Sequence, residues 1–179
     1  MGFDPSTEAE VIADVDVALR EVRERQAVIR EAVSWVATPF QHQQCLKGVG
    51  VDCLTLIRAV YLAVFPGINV VLPDYAPDEF LHSGEERYAE GLRPYFEALG
   101  RVAPQGGDVV AFHFGRRQVA HVGICVDGLH AGGLYSPGTF VSALMDNGRV
   151  EFGGLEQAGW ATRWSGTWRL RRWMANSGA

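Results

Sequence analysis

Gly48-Val49-Gly50-Val51-Asp52-Cys53-Leu54-Thr55-Leu56-Ile57 is a glycine-rich turn that runs straight into an apolar helix, with a cysteine at the junction. The free first turn of a helix points unpaired N–H groups outward, and its dipole amounts to roughly half a positive charge. A thiol placed there has a lowered pKa, so more of it is thiolate, the nucleophilic form. Asp52 can cap the helix. Gly48 and Gly50 let the backbone turn tightly and leave room beside the sulfur. A small buried cysteine that merely packs a helix start fits the same residues, and the stretch by itself leaves both readings open.

The helix that follows is predicted over 52–65. Leu54, Leu56, Ile57, Val60, Tyr61, Leu62, Val64 and Phe65 make it apolar nearly all round, which marks a buried central helix, and Pro66-Gly67 stops it. Upstream, apolar residues recur every three or four positions over 7–37 (Val11, Val15, Ala18, Val22, Ile29, Ala32, Val36). Thr7-Glu8-Ala9-Glu10 fits a capping box, and the register breaks near Arg23–Gln26, so either one long helix or two are expected. The first twenty residues could project and meet a partner, or fold back on the core. Pro39 ends this region by disfavouring helical geometry at Thr38. Residues 68–82, with Pro73 and Pro77, read as a surface loop. Residues 83–99 resume helical spacing through Tyr88, Leu92, Phe96 and Leu99, with Pro94 a bend and Gly100 a C-cap.

The period then changes to two. Strands are predicted over 108–114 and 119–126, with a third begun by Leu129-His130-Ala131 after an Asp127-Gly128 hairpin turn. Residues 139–144, 150–152 and 167–173 supply more. Helices first and a meandering antiparallel sheet of about five to six strands after is the α+β pattern.

The 179 residues suit one domain, and 47% hydrophobic with 21% charged residues is ordinary for a globular chain. A net charge of −5 without a basic run argues against nucleic acid. No stretch has the length of a membrane span, and the N-terminus lacks the basic start and apolar core of a signal peptide, so synthesis in the cytoplasm is expected. Three cysteines, Cys45, Cys53 and Cys125, form neither a disulfide framework nor a zinc knuckle, and no metal or cofactor is expected.

A cysteine nucleophile needs a base, usually an imidazole oriented by a third polar group. His121 falls mid-strand, and a hairpin at Asp127-Gly128 would set His130 beside it, since facing positions of an antiparallel pair lie about 5 Å apart. A mid-strand histidine can equally be a satisfied core residue. Cys45 and Cys125 read as bystander and strand packing. His42 is either a cleft residue or an exposed loop histidine, and His113 a rim residue. Trp160, Trp164, Trp168 and Trp173 read mainly as packing.

Trp35-x-x-Thr38-Pro39-Phe40, Lys47-Gly48-Val49-Gly50-Val51-Asp52-Cys53-Leu54-x-Leu56, Gly107-Asp108-Val109-Val110-Ala111-Phe112, His121-Val122-Gly123-Ile124 and Leu129-His130-Ala131 come in the order of the signatures of NlpC-type cell-wall peptidases. The chain resembles that papain-like cysteine family, and in flavour its branch carried in the tails of phages and gene-transfer agents. The resemblance covers roughly 28–173, which divides the chain into an N-terminal helical extension, 1–27, and a papain-like domain, 28–179. It implies Cys53 as nucleophile, His121 as general base and His130 as orienting residue, with Asp52 supporting the helix start and no cofactor. If the register of His130 slips by one residue its ring changes face, and Ser136 or another polar group would serve instead. Phe40, a cleft candidate with His42, stands where many relatives carry a tyrosine, so that hydroxyl must be absent or replaced. The implied activity is hydrolysis of an amide bond in peptidoglycan stem peptides, by a tail component whose N-terminal helix docks on tail-tip or hub proteins and which acts in the periplasm or on the wall. The other readings are a structural tail-tip protein with little turnover and a papain-like acyltransferase or non-wall amidase.

Overall fold

The computed structural model describes residues 5–68, 71–72, 75, 87–114, 118–130 and 133–174, with the side chains of 5–11, 87, 128–130 and 133–135 left aside. Helix α1 (Pro5–Val33) is one unbroken element of 29 residues, about 44 Å long at 1.5 Å per residue. It begins ahead of Thr7, which therefore is not its cap. The expected break near Arg23–Gln26 does not occur. Arg25 occupies an inward position, where its guanidinium donates to Gly106 O (2.9 Å) and Asp108 Oδ1 (3.0 Å) and lies 4.1 Å over the Trp173 ring. A charged residue facing the core is what disturbed the apolar register. From Val28 onward α1 packs on the core, whereas Ile12, Val15, Leu19 and Val22 are about half exposed.

Helix α2 (Cys53–Val64) is the central helix, with Cys53, Leu54, Thr55, Leu56, Ile57, Val60 and Tyr61 buried. Ahead of it, β1 (Cys45–Leu46) and β2 (Gly50–Val51) form a two-stranded ribbon. The predicted helix over 83–99 is corrected. Within the described residues it is a short α3 (Arg87–Leu92) followed by an edge strand, β3 (Phe96–Ala98). Pro94 has no N–H for a helical bond and its ring crowds the preceding turn, and Phe96 then points into the core. Gly100 is not a helix cap. It holds φ +66° just past β3, where its carbonyl accepts from Thr167 N.

The main sheet adds β4 (Val109–His113), β5 (Val119–Cys125), β8 (Thr139–Leu144), β9 (Arg149–Gly154) and β10 (Trp164–Leu170). Its order is β3-β10-β4-β5-β8-β9, antiparallel throughout. Two short helices, α4 (Ala158–Ala161) and α5 (Arg171–Met174), flank β10. The third predicted strand does form, as β6 (Gly128–His130), but it pairs with β7 (Gly133–Tyr135) in a separate ribbon. The neighbours of β5 are β4 and β8, so among the described residues no hairpin pairs the strand of His130 with that of His121.

Strand alternation sorts the side chains onto two faces. Val109, Ala111, Val122, Ile124, Val141 and Ala143 join α1 and α2 in the main core, while Val110, Phe112, Cys125 and Phe140 form a second cluster with Phe114, Trp160 and Trp164. Both faces of the central strands are thus covered. The two layers are tied by Asp108, fully buried between Arg25 and Arg169 at 3.0 and 2.7 Å. Replacing Asp108 by alanine takes the carboxylate from two partly buried guanidiniums, leaving Arg25 with Glu21 and the Gly106 carbonyl. It should cost about 3 kcal/mol, read as a lower urea midpoint at unchanged m-value.

Candidate active site

The site begins with the cap of α2. Asp52 Oδ1 accepts from Thr55 N (2.9 Å) and from the Thr55 hydroxyl (2.8 Å), and Thr55 Oγ1 accepts from Asp52 N (2.9 Å), a reciprocal capping box. Asp52 Oδ2 accepts from the Tyr75 hydroxyl and from Gln43 N, both at 2.7 Å. Gln43 reaches that position at φ 57°, in left-handed geometry. His42 stands alongside, its Nδ1 3.4 Å from Oδ2 and its Nε2 donating to the Tyr75 carbonyl at 3.1 Å. The carboxylate is buried, and its lone pairs are filled from three directions.

Cys53 follows directly and is only 6% exposed. It lines a cavity of about 170 Å³ with Phe40, His42, Asp52, Tyr75, Tyr88, Phe114, Ala120 and His121. The structure thus brings together Phe40, His42, Asp52, Cys53 and His121 from the sequence reading. Cys45 is exposed on the β1 ribbon and Cys125 is buried in the second cluster, as read.

The charge state of the pair differs from expectation. The N–H groups of Val122, Leu54 and Cys53 itself favour the thiolate, but burial outweighs them, and with the Asp52 carboxylate it pushes the Cys53 thiol up to about 12. Burial likewise lowers His121 to about 4, against a smaller opposing pull from Asp52. A helix start lowers a thiol pKa only while the thiolate is solvated; here desolvation is the larger effect. At neutral pH the site holds a neutral thiol and a neutral imidazole.

The imidazole is held by aromatic rings. Trp160 stacks on it with centroids 5.6 Å apart, Phe112 lies tilted at 5.9 Å and Phe114 meets it edge-on at 6.1 Å. Trp160 was read mainly as packing, with a wall of the substrate groove as the lesser alternative for one of the tryptophans. Among the described residues, His121 Nε2 is buried without a hydrogen-bond partner. The side chain of His130 lies outside the described set. Tyr75 is the residue that sequence reasoning missed: it sits in the segment read as a surface loop, yet it is buried. Its hydroxyl brings to Asp52 what Phe40 cannot. An aromatic residue set between Pro73-Asp74 and Pro77-Asp78 was the available signal. Among the described residues, no group of His, Cys, Asp and Glu is arranged to hold a metal, and no helix is long and apolar enough to cross a membrane.

No protein-family model matches the sequence, and no curated protein does. Solved structures do. A protein described as similar to lipoprotein, of the NLP/P60 family, from Staphylococcus aureus subsp. aureus Mu50 is similar at 22% identity and TM-score 0.57 over 83% of this chain and 41% of its own. The NlpC/p60 domain of peptidoglycan hydrolase SagA gives 17% and 0.50 over 81% of this chain and 97% of its own. An N-acetylmuramoyl-L-alanine amidase from Bacteroides uniformis ATCC 8492 gives 12% and 0.50 over 83% and 99%. This chain thus spans about two fifths of the first protein and nearly all of the other two. The likeness is one of fold: helices packed on a six-stranded antiparallel sheet in the papain-like manner of NlpC/P60 domains.

The pH dependence of stability tests the burial of His121. The unfolded histidine gains its proton near pH 6.5, whereas the folded one resists until about 4. Stability should therefore fall as pH drops through that window, by a total on the order of 3 kcal/mol from this group. Urea unfolding at pH 7 and pH 4 should show His121→Gln losing less than wild type; equal losses would place the ring in solvent.

Proposed function

We propose that this chain is a cysteine hydrolase that cleaves an amide bond in peptidoglycan stem peptides. The observation that carries the reading is that Cys53, at the start of a capped helix, and His121, on the neighbouring sheet, line one cavity. The fold shared with peptidoglycan hydrolases supports the substrate class.

The neutral state of the pair shapes the chemistry. No thiolate waits in the resting site, so His121 takes the thiol proton as the sulfur attacks the substrate carbonyl. With Nε2 sealed on the sheet, Nδ1 is the nitrogen left for that proton. The Cys53 N–H, at the free end of α2, is placed to hold the developing oxyanion. The imidazolium then protonates the leaving amine, giving a thioester. Water attacks the thioester with His121 as base, and the acid departs. No metal or organic cofactor enters this route. Asp52 holds the helix start and fixes the sulfur by position.

The setting belongs to the same proposal. The protein would be made in the cytoplasm, carried in a phage-like or gene-transfer-agent tail, and would open the wall locally from there. Residues 1–27 would act as a docking extension ahead of the domain at 28–179. The half-exposed Ile12, Val15, Leu19 and Val22 of α1 support contact with tail-tip or hub proteins. One observation favours the rival reading, a structural tail-tip protein with little turnover: the thiol is pushed up rather than down.

Release of new amines from purified peptidoglycan separates the two. The wild type should release them, and Cys53→Ala should lower the rate by about 10³-fold or more. Alkylation of Cys53 without substrate should be slow near pH 7 and rise only at strongly alkaline pH. No release by the wild type from peptidoglycan or from small acyl donors would favour the structural role.

A further inference from the structure

The orphaned nitrogen of His121 has a counterpart. Ser142, on β8, is fully buried, and its Oγ also lacks a hydrogen-bond partner among the described residues. Two such atoms are costly apart, since each forfeits its bond to water. They are neighbours in the sheet. β5 and β8 pair with Ile124 opposite Val141 and Cys125 opposite Phe140. The next step of that register sets Gly123 opposite Ser142, and a Cβ built on Gly123 would lie 3.2 Å from Ser142 Cβ. His121 is two residues from Gly123, so its side chain shares the face of Ser142 on the diagonal position, within reach of a long side chain.

Gly123 makes this approach possible. A side chain there would meet Phe140 Cδ2 at 2.8 Å and Val141 O at 3.0 Å, so β8 could not close on β5. On this face Val110, Phe112, Phe114, Cys125, Phe140 and Trp160 carry no oxygen, and the carboxylate of Glu151, opposite Ser142 on β9, is engaged by Asn147 and Arg149. Trp160 and Phe112 set the plane of the ring but leave its 180° flip and its tautomer open.

We infer that Ser142 is the positioning residue of the site: its hydroxyl accepts the Nε2–H of His121, and so keeps the Nδ1 lone pair free on the cavity side, toward Cys53. A change of the Ser142 rotamer about Cα–Cβ or one bridging water closes the link, and either leaves the proton on Nε2. This takes the role that the resemblance implied for His130, whose strand pairs with β7 among the described residues. It rests on the proposed Cys53–His121 chemistry but not on the substrate. Sequence spacing could not reveal it, because Phe140-Val141-Ser142-Ala143 reads as an ordinary buried strand.

The ring ¹⁵N resonances of His121, at neutral pH and without substrate, report which nitrogen is protonated. The wild type should show Nε2–H alone. Ser142→Ala, which removes one oxygen from the core, should give a mixture of tautomers and slow amine release about tenfold, mostly in kcat. An unchanged tautomer in Ser142→Ala overturns the inference, and so does an equal change in His130→Ala. A protein that releases no amine from peptidoglycan yet changes tautomer in Ser142→Ala would fail as a wall hydrolase while Ser142 kept its role.

Discussion

A buried carboxylate at position 52 is the constraint around which the site is arranged. It must find donors or lose several kcal/mol to desolvation, and the donors it finds define the local structure. Thr55 sets the first turn of α2, Gln43 bends the loop ahead of it, and Tyr75 brings in a distant part of the chain. His42 packs edge-on against Tyr75, 5.1 Å between centroids. Tyr75 and His42, with Asp52 itself, also form part of the wall of the cavity beside Cys53. One acid therefore does two things at once, ending a helix and shaping a cleft. Its charge adds to the burial that keeps the neighbouring thiol protonated.

That last effect matters for how such a site can act. Cys53 and His121 are both drawn away from their charged forms, and by the same cause, so they resist forming an ion pair in the closed resting site. Proton transfer then accompanies attack instead of preceding it. The cavity is small and mainly apolar-walled, by Phe40, Phe114, Leu144 and Met145. A substrate that carries polar amides into it changes the dielectric as it binds. A resting thiol of this kind is sheltered from adventitious oxidants, because reactivity follows thiolate character and exposure.

Much of the fold could be read from local pattern. The apolar circumference of α2 announced a buried helix, and alternation in Val109–His113, Val119–Cys125 and Thr139–Leu144 announced the central strands. The Asp52-Cys53 junction and His121 were legible because a cap and a strand histidine are local features. What escaped depends on partners far away in the chain. Phe96–Ala98 is a strand only because β10 is there to pair with it. Arg25 looks like a break in a helix until Asp108 is seen beneath it. Gly128–His130 carries a hairpin signal, but its partner is the following strand and not the preceding one. The direction of the Cys53 shift escaped for the same reason: the helix dipole is local, whereas burial is a property of everything packed around the sulfur.

The double arginine grip on Asp108 also has a mechanical side. Arg25 belongs to the helix whose early turns stand in solvent, Asp108 leads into β4, and Arg169 belongs to β10. Tension on the protruding end of α1 would pass through this grip into the middle of the sheet, where shear is shared by several ladders of backbone bonds. Cys53 and His121 sit on α2 and β5, elements that contribute no side chain to the grip. The molecule could be tugged by one end while its cleft kept its shape.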